Sequence, residues 1–262
     1  MNLNGKIAIV TGGAMGNGRG IAEVFLKLGA TVIILDYSDK LGQTLGELSN
    51  ISKNVVGYKV DITDKDLVKS VVDSIYQKYQ KIDILVNNAG VAKLVRFEDM
   101  SDEIRDFHID INIKGTWNVT KAVYPYMVKN NYGKIVNLSS VTGPKVADPG
   151  EVAYATTKAA LIGFTKSLAM EGVKNNITVN AILPGYIMTP MVEGIAKDSD
   201  NNNPDSVIKG IADGIPMGRL GTIEELGNLA AFLVSDLSNY ITGSEFVIDG
   251  ASTLPETRSV GV

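Results

Sequence analysis

The chain has no cysteine and one histidine. The first absence excludes disulfides, thiolate catalysis and cysteine-held zinc, and the second leaves no basis for a histidine-rich metal centre, so no metal is expected. No stretch approaches the ~18 consecutive apolar residues a membrane span needs. The apolar run Ile7–Val10 is too short for a secretory leader and meets a glycine-rich turn at once. A cytoplasmic protein without membrane partners is expected. Positive charge is in short supply: 25 Lys and Arg face 29 Asp and Glu, a net of -4, which argues against general nucleic-acid binding. What is present is ordinary for a soluble globular protein, with 45% hydrophobic and 21% charged residues among 262.

Short runs rich in Val and Ile alternate with longer amphipathic stretches. Strands are predicted at 7–11, 31–35, 55–60, 82–87, 134–138, 178–183 and 245–248, several apolar on both faces as buried strands must be. Helices are predicted at 18–28, 40–50, 65–79, 101–129, 153–173 and 223–234. This alternation implies an α/β fold: a doubly wound parallel sheet of about seven strands with helices on both faces. No linker or repeat interrupts it, so residues 1–262 are read as a single domain. The polar stretch 198–205 reads as an exposed loop within a substrate flap at about 190–215.

The stretch TGGAMGNGRG (11–20) raises the first chemical question. A P-loop fails because Arg19 follows Gly18 where lysine is needed. The pattern GxGxxG fails because position 21 is Ile. The pattern GxxxGxG fits Gly12, Gly16 and Gly18, between a predicted strand and a predicted helix. Glycines there let the backbone turn sharply and bring a dinucleotide's phosphates to the helix N-terminus, where free amides favour negative charge. The expected architecture is therefore a Rossmann fold. Asp36 closes the second strand, where a dinucleotide site places the acid that receives the adenosine ribose. Its charge repels a 2′-phosphate, and neither Ala14 nor Tyr37 supplies a cation; Arg19 is the possible dissenter. NAD is the expected cofactor.

Tyr154 and Lys158 form a YxxxK pair on one helical face. Free tyrosine, with a pKa of about 10, is a poor proton carrier near neutrality, and a nearby ammonium lowers that value. Alone the pair means little. Its company is IVNLSS ending at Ser140, NNAG at 87–90, INIKG carrying Asn112, and PGYIMTP at 184–190, all at or beside the carboxyl ends of predicted strands, where open parallel sheets bind ligands.

With these motifs together, the chain resembles the short-chain dehydrogenase/reductase family over almost its whole length. The resemblance implies roles. Tyr154 would be the general acid/base, Ser140 would hold the substrate oxygen, and Lys158 would grip the nicotinamide ribose and depress the tyrosine pKa. Asn112 would support a water linking Lys158 to solvent. Asp61 and Ile62, ending the third strand, would meet adenine; Asn88 and Gly90 would flank the adenosine side. Ile187 and Thr189 would meet the nicotinamide carboxamide. Two departures stand out. Asn17 occupies a position usually held by isoleucine, where its amide could add a cofactor contact. Ser140 lies fourteen residues before Tyr154 rather than thirteen, leaving Ser139 as an alternative for the hydroxyl role.

The expected activity is NAD(H)-dependent interconversion of a secondary alcohol and a ketone. The alternatives are an NADP(H)-preferring ketone reductase, a non-catalytic dinucleotide sensor on the same fold, and a dehydratase or epimerase using NAD transiently. A homotetramer is implied by the resemblance, with the tail from Ser252 to Val262 covering a neighbouring pocket. His108, Trp117, Tyr124 and Tyr126 are expected to serve packing, and Asp148 and Glu151 to be solvated loop residues.

Overall fold

The structure, a computed structural model, describes residues 1–255. Among these, seven strands form one parallel sheet: β1 Ile7–Thr11, β2 Thr31–Asp36, β3 Val55–Lys59, β4 Ile84–Asn87, β5 Gly133–Leu138, β6 Ile177–Pro184 and β7 Glu245–Ile248. Their order is β3-β2-β1-β4-β5-β6-β7. Every residue of β1, β4, β5 and β6 is buried, which accounts for their unbroken apolar character. Alternate side chains of β1 serve opposite layers. Ala8 and Val10 pack with Ile21 and Phe25 of α1 (Gly16–Lys27) and Leu226 and Ala230 of the last helix. Ile7 and Ile9 share the other core with Val68 and Val72 of the third helix. Each fully buried Ile or Phe contributes about 1.5–3 kcal/mol. The architecture is a single Rossmann-like α/β domain.

The remaining long elements are α2 Leu41–Leu48, α3 Lys65–Tyr79, α4 Asp102–His108, α5 Thr116–Asn130, α6 Val152–Gly172, α7 Pro190–Ser199, α8 Pro204–Asp213 and α9 Ile223–Val234. The helix predicted over 101–129 runs without interruption from Asp102 to Asn130, with a π-helical stretch, Ile109–Gly115, that carries the buried Asn112. One sequence expectation changes. The stretch at 198–205 is mostly a short corner between two helices, rather than an open loop. Thr189 and Asn203 cap these helices through their side chains, and each is followed by proline at the first helical position. Both start signals are present in the sequence. The tail from residue 256 onward lies outside the described residues, and so does its expected role.

The strand order reverses between β1 and β4, on either side of which the chain builds outward. Loops leaving these neighbours diverge and open a crevice at their carboxyl ends. The glycine turn after β1 and residues 88–90 after β4 both lie there. Among the described residues no helix is long and apolar enough to cross a membrane.

Candidate active site

Two glycines of the turn adopt left-handed backbone, Gly12 at φ 66° and Gly16 at φ 54°. Gly18 is required by space instead: a Cβ there would lie 2.3 Å from the Gly12 carbonyl oxygen and 2.4 Å from Asn88 Nδ2. Helix α1 opens at this turn with no side-chain cap and no acidic residue in its first turn. Its leading amides carry the positive end of the helix dipole, suited to an anion. Asn88 staples the turn from the neighbouring strand, donating to the carbonyls of Thr11 and Gly12 at 3.0 Å each. Thr11 completes the staple, its Oγ1 accepting from the amides of Asn88 and Ala89. Sequence reading missed Thr11. Asn17 Oδ1 is buried on the turn with no hydrogen-bond partner. An acceptor left so, beside an uncapped helix start, fits a ligand that brings a donor such as a ribose hydroxyl or a carboxamide.

Asp36 is held in place by backbone donors: Ala14 N–H and Ser38 N–H each reach a carboxylate oxygen at 2.8 Å. Two cations around this corner are paired with acids. Arg19 meets Glu47 of α2 at 2.7 Å, and Lys59, the register partner of Asp36, is hydrogen-bonded to Asp39. Asp61 and Ile62 lie just beyond β3 rather than within it. Thr63 occupies Asp61 Oδ1, while the Ile62 side chain is buried against Gly115. Ile187 is buried against Gly221, and Thr189 at the start of α7 faces Gly16. Gly90 is displaced from its expected surroundings: a Cβ on it would approach Asn112 Oδ1 at 3.2 Å and Lys158 Nζ at 3.5 Å. It sits at the Tyr154–Lys158 end of the crevice.

Tyr154 and Lys158 share one face of α6, with Lys158 Nζ 5.6 Å from the phenol ring centre. The two serines after β5 separate cleanly. Ser139 donates to the Lys158 carbonyl at 2.8 Å, whereas Ser140 accepts from the Thr142 amide at 3.1 Å and lies on the Tyr154 side, where its hydroxyl favours the ionised phenol. Asn112 is fully engaged: its amide donates to Val91 O (3.0 Å) and Thr157 Oγ1 (2.9 Å), and its Oδ1 accepts from Val91 N–H (2.8 Å). Thr157 in turn donates to the Tyr154 carbonyl. The Asn112 side chain thus positions the start of α6 and the loop after β4, leaving its amide no hydrogen for a water. Thr157, within the YATTK stretch, is a positioning residue visible only once the helix is built.

The electrostatics differ from the sequence expectation that Lys158 lowers the tyrosine pKa. Burial pushes Tyr154 up; the Ser140 hydroxyl opposes this, and the charge of Glu151 adds to it. Burial brings Lys158 down to about 8. Its ammonium donates to the Leu138 carbonyl at 2.8 Å. Glu151 is itself raised by burial, with Asp148 close by, and is no freely solvated loop residue. In the protein alone, Tyr154 therefore keeps its proton firmly.

A stability effect follows. Unfolded Lys158 titrates near 10.5 and folded Lys158 near 8, so the unfolded chain binds more protons across that interval. Stability from this group rises with pH through that window, and below it the folded state bears the full cost of a buried charge. The stability difference between wild type and Lys158→Met is expected to move in favour of wild type by about 1–3 kcal/mol from pH 7 to pH 10. Denaturant titrations at both pH values measure it; an unchanged difference contradicts the burial argument.

Residues 12–253 match the model of a family described as enoyl-(acyl carrier protein) reductase. The chain is 54% identical to oxidoreductase UcpA of Salmonella typhimurium over 260 residues, covering 99% of each chain. It is 41% identical to 3-oxoacyl-[acyl-carrier-protein] reductase FabG of Thermotoga maritima, over 95% of this chain and 98% of that one. The solved structure of ligand-free aldohexose dehydrogenase from Thermoplasma acidophilum superposes with a TM-score of 0.91 at 33% identity, covering 99% and 98% of the two chains.

Proposed function

The chain belongs to the short-chain dehydrogenase/reductase family, oxidoreductases built around a nicotinamide dinucleotide, and from that premise we propose that it interconverts a secondary alcohol and a ketone with NAD as preferred cofactor. The observation that carries the reading is the Tyr154 phenol with Ser140 beside it and Lys158 Nζ 5.6 Å from its ring on the same helix face, at the end of the crevice that begins with the glycine turn. The names of the relatives, a 3-oxoacyl reductase and an aldohexose dehydrogenase, describe reduction and dehydrogenation and support the reaction class.

When bound, the nicotinamide supplies or receives the hydride. The chain's own residues do the rest. In reduction the Tyr154 hydroxyl gives its proton to the substrate oxygen as negative charge develops there, and Ser140 Oγ–H holds that oxygen. The phenol carries its proton in the protein alone, as this direction requires. In oxidation Tyr154 must first lose the proton; the charge of Lys158, present below about pH 8, favours that loss. The uncapped start of α1 and the glycine turn would hold the pyrophosphate, Asp36 the adenosine ribose, and Ile187 and Thr189 the far end. The orphaned Asn17 oxygen would accept from a cofactor donor. Helices α7 and α8, joined by their own small core of Val192, Ile215 and Leu220, would cover the substrate.

Cofactor choice is tested at Asp36. Asp36→Asn keeps an acceptor while removing the charge that repels a 2′-phosphate. The ratio of kcat/KM for NAD over NADP is expected to fall about 10–100-fold, the equivalent of one charge-assisted hydrogen bond of about 1.5–3 kcal/mol. A panel of alcohols and ketones, followed at 340 nm with both cofactors in parallel, tests the reaction itself. Tighter NADP binding by the unaltered protein would refute the reading of Asp36. Silence across the panel despite dinucleotide binding would favour a sensor. The reading extends to a homotetramer, supported by Trp117 and Met170, which are 54% and 75% exposed on neighbouring helices. Sedimentation of a 28 kDa species would remove it.

A further inference from the structure

His108 is the only buried residue of α4, and it is fully so. Its ring has two partners. Nε2 accepts from the Lys93 amide at 3.0 Å, which leaves the proton on Nδ1, facing the Ile104 carbonyl at 2.8 Å. One turn further on, Asn112 takes Val91 by both its amide and its carbonyl. The segment so gripped, residues 91–95, has neither helix nor strand to satisfy its backbone. Outside helices and strands, an amide is held in place only by an acceptor brought to it. The segment does not end at the grip. The Val95 amide donates to Gly150 O at 3.0 Å, and Gly150, at φ 89°, immediately precedes the turn that starts α6 and its Tyr154. Leu94, between the two bonded amides, is 55% exposed and lies next to Gly150.

We propose that His108 is a positioning residue for substrate: by holding the Lys93 amide it sets residues 91–95 as a wall beside Tyr154, against which the non-reacting part of the substrate rests. This rests on the reading of Tyr154 as the proton carrier. The imidazole touches neither the reacting atoms nor the cofactor site and acts through the backbone it holds. The wall is fixed at Val91 by Asn112 and at Lys93 by His108. Loss of the second hold frees Lys93 and Leu94, between the Asn112 bonds at Val91 and the Gly150 bond at Val95, which both stay in place. Substrate binding then suffers more than the chemical step.

Two variants separate the ring's two bonds. His108→Asn places an amide where Nδ1 stood and loses the acceptor for Lys93. His108→Gln reaches the Nε2 position and restores it. Hydrogen exchange of peptides spanning 90–96, read by mass spectrometry, reports the clamp directly. Steady-state kinetics with NADH and the best ketone of the panel above report its consequence. Lys93 is expected to be protected in the unaltered protein, to exchange at least about tenfold faster in His108→Asn, and to regain protection in His108→Gln. KM is expected to rise about fivefold or more in the Asn variant with kcat within about twofold, and to return in the Gln variant. A Lys93 amide unprotected in the unaltered protein overturns the clamp, and so does loss of protection in the Gln variant; both readouts survive if the Asn variant fails to fold. A freed amide with unchanged KM overturns the link to substrate. Absence of turnover in the unaltered protein counts against Tyr154, and the exchange arm still judges the clamp.

Discussion

Replacing Tyr154 by Phe is expected to lower turnover about 10³-fold while leaving dinucleotide affinity within about threefold. The change removes one oxygen from a half-buried ring and leaves the ring itself, so packing along α6 is preserved. What disappears is the proton donor. Ser140 keeps its contact, accepting from the Thr142 amide at 3.1 Å, and so stays in place. Lys158 keeps its bond to the Leu138 carbonyl. The variant therefore isolates proton transfer from binding. Stopped-flow turnover and titration of cofactor fluorescence measure the two quantities separately. Retention of more than about a tenth of the turnover would remove Tyr154 from the acid/base role.

Gly18→Ala is expected to weaken dinucleotide binding at least about 100-fold and to destabilise the fold by about 3 kcal/mol. The added methyl would sit 2.3 Å from the Gly12 carbonyl oxygen, which has nowhere to retreat. Gly12 is already at positive φ, and its carbonyl is tied to Asn88 Nδ2 at 3.0 Å. Relief requires either breaking that staple or pushing α1 away from β1, and both displace the amides meant for phosphate. Gly46→Ala is the matched control. Gly46 lies inside α2, where an added methyl would meet nothing within 4 Å, so the same substitution there should stabilise by about 0.5–1 kcal/mol. Calorimetric titration and thermal melts compare the pair. Equal dinucleotide affinity in the two variants would show that the close approach at Gly18 is unimportant.

Most of the scaffold could be read along the chain. All seven strands lie within a few residues of their predicted runs, and the four central ones are largely apolar because they are buried on both faces. The glycine turn was legible for a related reason: positive φ and close backbone approach exclude other residues at Gly12, Gly16 and Gly18. The π-helical stretch Ile109–Gly115 was not legible, since the helical pattern continues through it. Nor were the bonds of its Asn112 to Val91 and Thr157, 21 and 45 residues away in the chain. His108 gave even less warning; nothing around it in sequence shows that its partner is Lys93.

Sequence alone determined the strands, the placing of Tyr154 and Lys158 on one helix face, and the turn that opens α1, because each depends on residues within a turn or a strand of one another. Tertiary structure decided which serine meets the phenol, where the asparagine side chains bond, and the direction in which Tyr154 and Lys158 titrate. Those outcomes depend on how much water is excluded and which distant backbone groups arrive. Desolvation sums over the whole surroundings of a group, and no local pattern of residues encodes that sum.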